Sequence, residues 1–290
     1  MKKYEVKTMG KKKEKVVEPK FIPSPLNNPM INYKVYYMTA GEKILYSAVS
    51  IILGGLAGLV FYGGLFKEDG EATVKTYISN AVVFAVVGLI AAKFAMPAIN
   101  KILLSRRAKK LRKQFIDMLE TISTLLSSGS TVNDAFFDAK TDLANQYQEN
   151  ALIMIELGEI VSGVQNGKTL EEMLNAFGVR SDNKDIINFA NVISNCYRLG
   201  GDFNNVVRRT RDVICDKIQI EEEIATKVSS NKLQLNAMSL MPIVLVGMLK
   251  VSSDGFAENL STTLGIVVTT FAIGLFAVAY FWGQKIINIK

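Results

Sequence analysis

The chain has 290 residues, of which 49% are hydrophobic, with a mean hydropathy of +0.20 and a net charge of +7. This is too apolar for a disordered chain, and 21% charged residues must then be segregated from the apolar ones. The absence of histidine excludes His-dependent triads and most catalytic zinc sites, and Cys196 and Cys215 are too few for a four-thiolate site or a disulfide framework.

Residues 1–42 form a basic lead, with Lys11-Lys12-Lys13 and X-Pro steps at Pro23 and Pro25, and are expected to be flexible, cytoplasmic and uncleaved. Residues 43–100 hold a first pair of membrane spans, Ile44 to Phe66 and Thr76 to Ala92. Residues 233–290 hold a second pair, Leu233 to Leu249 and Asn259 to Gln284, followed by a short basic tail. A spanning helix needs about 20 apolar residues, so the first and last stretches satisfy the length most fully. Each shorter stretch is joined to a long one by nine residues, Lys67–Lys75 and Lys250–Glu258, which suits a tight hairpin.

Charge fixes the expected orientation. Residues 1–43 carry ten basic side chains, and residues 101–113 carry seven with no acid, whereas the two short connections carry two and one. By the positive-inside rule both termini and residues 101–232 lie in the cytoplasm. Residues 114–232 carry 11 basic and 18 acidic side chains, a net −7. The basic charge therefore lies beside the membrane, where it meets anionic lipid headgroups, and nucleic acid is not an expected partner. Gly54 and Gly58 form a small-xxx-small pair in the first span, and Tyr280, Phe281 and Trp282 an interfacial belt in the last.

Residues 100–232 show helical periodicity almost throughout. Leu111, Phe115, Met118, Leu119, Ile122, Leu125 and Leu126 form one apolar stripe; Ile153, Leu157, Ile160, Val161 and Val164 form another. Phe203, Val207, Ile214, Ile218 and Ala225 repeat as a heptad-like seam. The stripes break at Gly129-Ser130-Thr131, Gly167-Lys168-Thr169 and Gly201-Asp202, each with a capping residue and, three positions later, Asp134, Glu172 or Asn205. A glycine ends one helix and a capping box opens the next, so Gly129, Gly167 and Gly201 are expected hairpin turns. Gly178 with Ser181 or Asp182 marks a looser break. The predicted fold class is all-α: four transmembrane helices and a cytoplasmic antiparallel bundle of about six helices.

Individual motifs give little chemistry. Gly163 to Thr169 has three residues between its glycines where a P-loop needs four, and follows a helical stripe instead of a strand. Cys196 shares an apolar face with Phe189 and Ile193 and is expected in the core. Glu221-Glu222-Glu223 is either a solvated face or a docking patch for a basic surface. No catalytic, metal or cofactor residue is assigned.

The succession of Leu125-Leu126-Ser127-Ser128-Gly129-Ser130, then Asn166-Gly167-Lys168-Thr169-Leu170-Glu171-Glu172, then Leu199-Gly200-Gly201-Asp202-Phe203, resembles the F domain of type II secretion, and Pro242 in the third span agrees. One such domain between two pairs of spans is most similar to the TadB-type platform subunits of tight-adherence (Flp) pili. That resemblance implies a non-enzymatic inner-membrane platform that couples a cytoplasmic hexameric secretion ATPase to pilin extraction and filament assembly. It implies a sister F-domain subunit, or a second copy, as partner. A small transporter or channel is the alternative; its pore would need more than Gln234, Asn236 and scattered Ser and Thr, and no Asp, Glu or His lies within a span. A membrane-tethered signalling protein would need a catalytic or phospho-accepting site.

Overall fold

A computed structural model describes residues 18–63, 73–199 and 201–287. Lys11-Lys12-Lys13, Gly64, most of the Lys67–Lys75 connection and Lys290 lie outside the described residues. Four described helices are long and apolar enough to cross a membrane: α1 (Ala40–Tyr62), α2 (Val74–Ser127), α7 (Phe203–Ser252) and α9 (Thr263–Ile287). Between α2 and α7 are four shorter helices, α3 (Val132–Ala144), α4 (Leu152–Gln165), α5 (Leu170–Ser181) and α6 (Lys184–Leu199).

The first span starts at a capping box. Thr39 accepts from the Glu42 N–H, and the Glu42 carboxylate accepts from the Thr39 N–H at 2.8 Å. Its packing against α2 depends on the absence of side chains. A Cβ on Gly54 would stand 2.4 Å from the Ala91 Cβ, and one on Gly88 only 2.7 Å from the Ile51 carbonyl oxygen. Such contact lets two backbones approach closely in lipid, where apolar burial alone does not hold helices together.

The two long helices run unbroken from membrane to bundle. At 1.5 Å per residue, the 27 residues Lys101–Ser127 extend about 40 Å beyond the apolar part of α2. Each contains one proline, Pro97 in α2 and Pro242 in α7. Neither can donate a hydrogen bond to the carbonyl four residues earlier.

The bundle core follows the stripes read in the sequence. Leu111, Phe115, Met118, Leu119 and Ile122 are buried against Phe136, Leu157, Ile160, Phe177, Phe189 and Ile193. Phe115 makes edge-to-face contacts with Phe177 at 6.2 Å and Phe189 at 5.4 Å, joining α2 to α5 and α6. Cys196, Val207 and Ile214 are buried; Ala225 at the end of the heptad-like seam and Cys215 are exposed.

Two segments depart from expectation. Residues 18–39 of the basic lead are folded, not flexible: β1 (Phe21–Pro23) and β2 (Pro29–Ile31) pair antiparallel and lead into a strap seated on the bundle. The prolines occupy strand ends, where a missing N–H breaks no ladder. The connection Lys250–Glu258 is also not a simple turn. Helix α7 continues to Ser252, and α8 (Asp254–Ser261) follows, its N-terminus capped by the Ser253 hydroxyl. Thr262 then caps α9, which moves the start of the last span from Asn259 to Thr263.

Candidate functional site

Because successive bundle helices alternate in direction, the breaks after α2, α4 and α6 all lie at the end away from the apolar helices. The first two are built alike. Gly129 has φ +97° and Gly167 has φ +80°. Around Gly129, its own N–H bonds the Leu126 carbonyl, and the Ser130 N–H reaches back to Leu125 at 3.2 Å. Around Gly167, the corresponding bonds run from Gly167 to Val164 and from Lys168 to Gly163 at 2.9 Å. This pair of bonds is the Schellman motif, which satisfies the last carbonyls of a helix only when the residue after the cap is left-handed. Thr131 and Thr169 then cap the next helices by accepting the N–H groups of Asp134 and Glu172.

Gly201 stands in a different register. Its N–H donates to the Cys196 carbonyl at 3.0 Å, the bond that Ser130 and Lys168 make at the other turns. It corresponds to those residues, one position beyond Gly129 and Gly167. Glycine is needed there for space: a Cβ would lie 2.7 Å from the Cys196 sulfur. Asp202 caps α7 through the Asn205 N–H at 3.1 Å. The looser break falls at Asp182 (φ +51°), while Gly178 remains inside α5 beside the Ile187 backbone.

The tip so formed is polar. Asn204 donates through Nδ2 to the Ser127 hydroxyl at 3.0 Å, tying the end of α2 to the start of α7. Beside it, Asp202, Asn204, Asn205, Arg208, Arg209 and Asp212 line a shallow surface depression.

The acidic run on α7 is exposed, but its members differ. Glu221 accepts from Arg112 Nη1 at 2.7 Å; the Arg112 Nε approaches Asp185 at 2.9 Å, and Lys217 reaches the same carboxylate at 2.8 Å. Glu221 thus belongs to a network joining α2, α6 and α7, and Glu223 accepts from Gln219 on its own helix.

Sequence reasoning missed the polar residues beneath the strap. Glu156 and Arg180 are buried and paired at 2.5 Å. Burial pushes the Glu156 carboxyl above its usual range, and the Arg180 guanidinium opposes that shift. The Tyr33 phenol of the strap is buried against Glu156; desolvation and that carboxylate raise its pKa. One turn along α4, the Glu159 carboxylate accepts from the Ser24 hydroxyl at 2.6 Å and the Asn28 amide at 3.1 Å. The signal was present: α4 carries two acids within an otherwise apolar stripe.

Residues 118–249 match the family model described as Type II secretion system (T2SS), protein F. Over this segment the chain is similar to the F domain of type II secretion. No curated protein and no solved structure matches the chain. The matched region begins within α2 and ends within the apolar part of α7, so the F domain includes the whole polar tip and excludes the strap. Beside this similarity stand four described helices long and apolar enough to cross a membrane, two of which, α2 and α7, the matched region enters.

Proposed function

We propose that the protein is a non-enzymatic inner-membrane platform subunit for a tight-adherence pilus or a related type II secretion filament. Its bundle faces the cytoplasm, receives movement from a hexameric secretion ATPase, and passes it to the membrane helices that release pilin. The observation that carries this reading is the position of one F domain between two pairs of apolar helices, joined to them by the unbroken α2 and α7.

The tip is the surface suited to meet the motor, because the glycine turns hold it about 40 Å from the end of the apolar part of α2. Glu222 and Glu223, which lie outside the Arg112 network, remain a docking patch for a basic surface; Glu221 contributes less because Arg112 already engages it. A sister F-domain subunit or a second copy completes the platform, and the basic residues of 101–113 hold it against anionic headgroups.

The deciding experiment is crosslinking in native membranes followed by purification through a tag on the C-terminus. Recovery of a hexameric ATPase with a pilin or a second F-domain protein supports the platform. Recovery of the chain alone, across several mild detergents, rejects it.

A further inference from the structure

Movement of the bundle has an obvious route into α2 and α7, which are continuous with it. The first span has no such continuity, yet it is joined to the bundle by contacts that the F domain alone does not contain. Ser24 is at the centre of the first joint. Its hydroxyl donates to Glu159 and accepts from the Leu26 and Asn28 N–H groups, so the side chain that folds the β1–β2 loop also attaches it to α4. The second joint is backbone to backbone, the Tyr33 N–H donating to the Arg180 carbonyl at 3.0 Å. The third is Arg107 of α2. Its Nη2 donates to the carbonyls of Asn32 (2.7 Å) and Val35 (2.9 Å), and its guanidinium stacks on Tyr33 and Tyr36 at 5.2 and 5.4 Å. The strap then enters α1 without slack, since Tyr36 donates to Glu42 at 2.8 Å and Glu42 closes the capping box on Thr39.

We propose that residues 18–39 are a mechanical strut that delivers displacement of the bundle to the first span, making α1 a driven helix alongside α2 and α7. Three features distinguish a strut from a packed tail. It is held at both ends, by α4 and α5 at one and by α1 at the other. The joint is buried: Glu156 and Arg180 of the bundle and Tyr33 of the strap are each at most 3% exposed, so undocking would leave paired charges open to water. Arg107 contacts main-chain carbonyls of the strap, which ties the strap's backbone path to α2. The far end of α1 is tied as well, since Lys250 of α7 donates to the Gly63 carbonyl and the Tyr62 and Thr270 hydroxyls lie 2.9 Å apart.

The functional part of this inference rests on the platform reading; the rigid link does not, and the test separates them. In the full chain with Cys215→Ser, spin labels at Lys43→Cys on α1 and Asn175→Cys on α5 report the distance between span and bundle. A narrow distribution is expected, broadened by a short Gly-Ser insertion between Tyr37 and Met38 and unaffected by the same insertion before Glu18. Broad distances without an insertion overturn the strut. In cells, the Tyr37–Met38 insertion should preserve protein level and ATPase recovery yet abolish filaments, with the control insertion competent. Normal filaments from that variant overturn the role in transmission. Failure to recover any ATPase with the unmodified chain counts against the platform, while the distance measurement still judges the link.

Discussion

Arg180 and Glu156 pose the sharpest energetic question at the scale of single residues, because both charges lie out of water with the Tyr33 phenol beside them. Removing one partner leaves the other buried and unpaired. Arg180→Ala is therefore expected to cost about 3–5 kcal/mol, whereas Glu156→Leu with Arg180→Met should come close to neutral. Thermal unfolding of the purified protein, followed by loss of bundle helicity, distinguishes the two. The turn glycines make a second prediction. At Gly167 an added Cβ meets nothing within 4 Å, so the cost of substitution there is purely conformational. Valine at φ +80° should destabilise the turn by about 1–2 kcal/mol, and asparagine, which visits that region readily, by much less. Filament assembly should fall with Gly167→Val and survive Gly167→Asn; normal assembly by a folded valine variant would show that the turn is not required. Tyr147 adds a pH effect. Partial burial, and the Asp117 carboxylate that accepts its hydroxyl, push its pKa up to about 12. A folded pKa raised above that of the unfolded chain gives stability in full below the ordinary tyrosine range, lost as pH rises from about 10 through 12. With solvent screening the contribution is about 1 kcal/mol. Tyr147→Phe should remove that part of the alkaline decline, seen in unfolding midpoints across the interval.

At the scale of helices and strands, what could be read from the sequence depended on whether the signal was local. The spans, the stripes on α2 and α4, and the capped turns each lie within one unbroken run of at most 26 residues, and length, periodicity or capping chemistry identifies them. The strap has no comparable signal. Its strands are three residues long, each with a proline at one end, and Ser24 finds Glu159 only after the chain has passed through a membrane pair. Similarly, α8 was hidden because Ser253 and Thr262 end one helix and begin another between two apolar stretches that read as spans. The register of Gly201 was hidden for a different reason: its hydrogen bond to the Cys196 carbonyl, which sets it one position beyond Gly129 and Gly167, appears only in the fold. Of the glycines in the first pair of spans, Gly54 and Gly58 carried a visible motif, but the partner Gly88 did not. Gly88 is the more exacting position, since its added Cβ would strike the Ile51 carbonyl, a backbone atom that cannot rotate away. Gly88→Leu should therefore separate α1 from α2. A disulfide between paired cysteines at Gly58 and Val87, where a Cβ on Gly58 would lie 2.9 Å from the Val87 Cβ, should form readily in the parent and poorly in the variant, and equal yields would count against close glycine packing.

For the molecule as a whole, the same basic residues serve orientation and mechanics, and this permits a test of both. Seven basic side chains lie between Lys101 and Lys113. Lys101, Arg106, Lys109, Lys110 and Lys113 are exposed and free to meet headgroups, while Arg107 turns inward to the strap and Arg112 to Asp185 and Glu221. If the charge asymmetry sets topology, the bundle and α8 lie on opposite sides of the membrane. In a Cys215→Ser background, a cysteine at Asp138 on α3 should be shielded from an impermeant maleimide in intact cells, and one at Glu258 on α8 should react. The opposite pattern would place the bundle outside the cell, where no nucleotide-driven motor could reach it. Replacing the five exposed basic residues with glutamine should weaken the topology signal but leave the strap docked, because Arg107 is retained. Replacing Arg107 alone should do the reverse, preserving the labelling pattern while raising hydrogen exchange at the Tyr33 amide, which bonds the Arg180 carbonyl. If both substitutions gave the same phenotype, orientation and strap docking would be one function of this basic segment instead of two. The inward geometry of Arg107 makes separation the expected result.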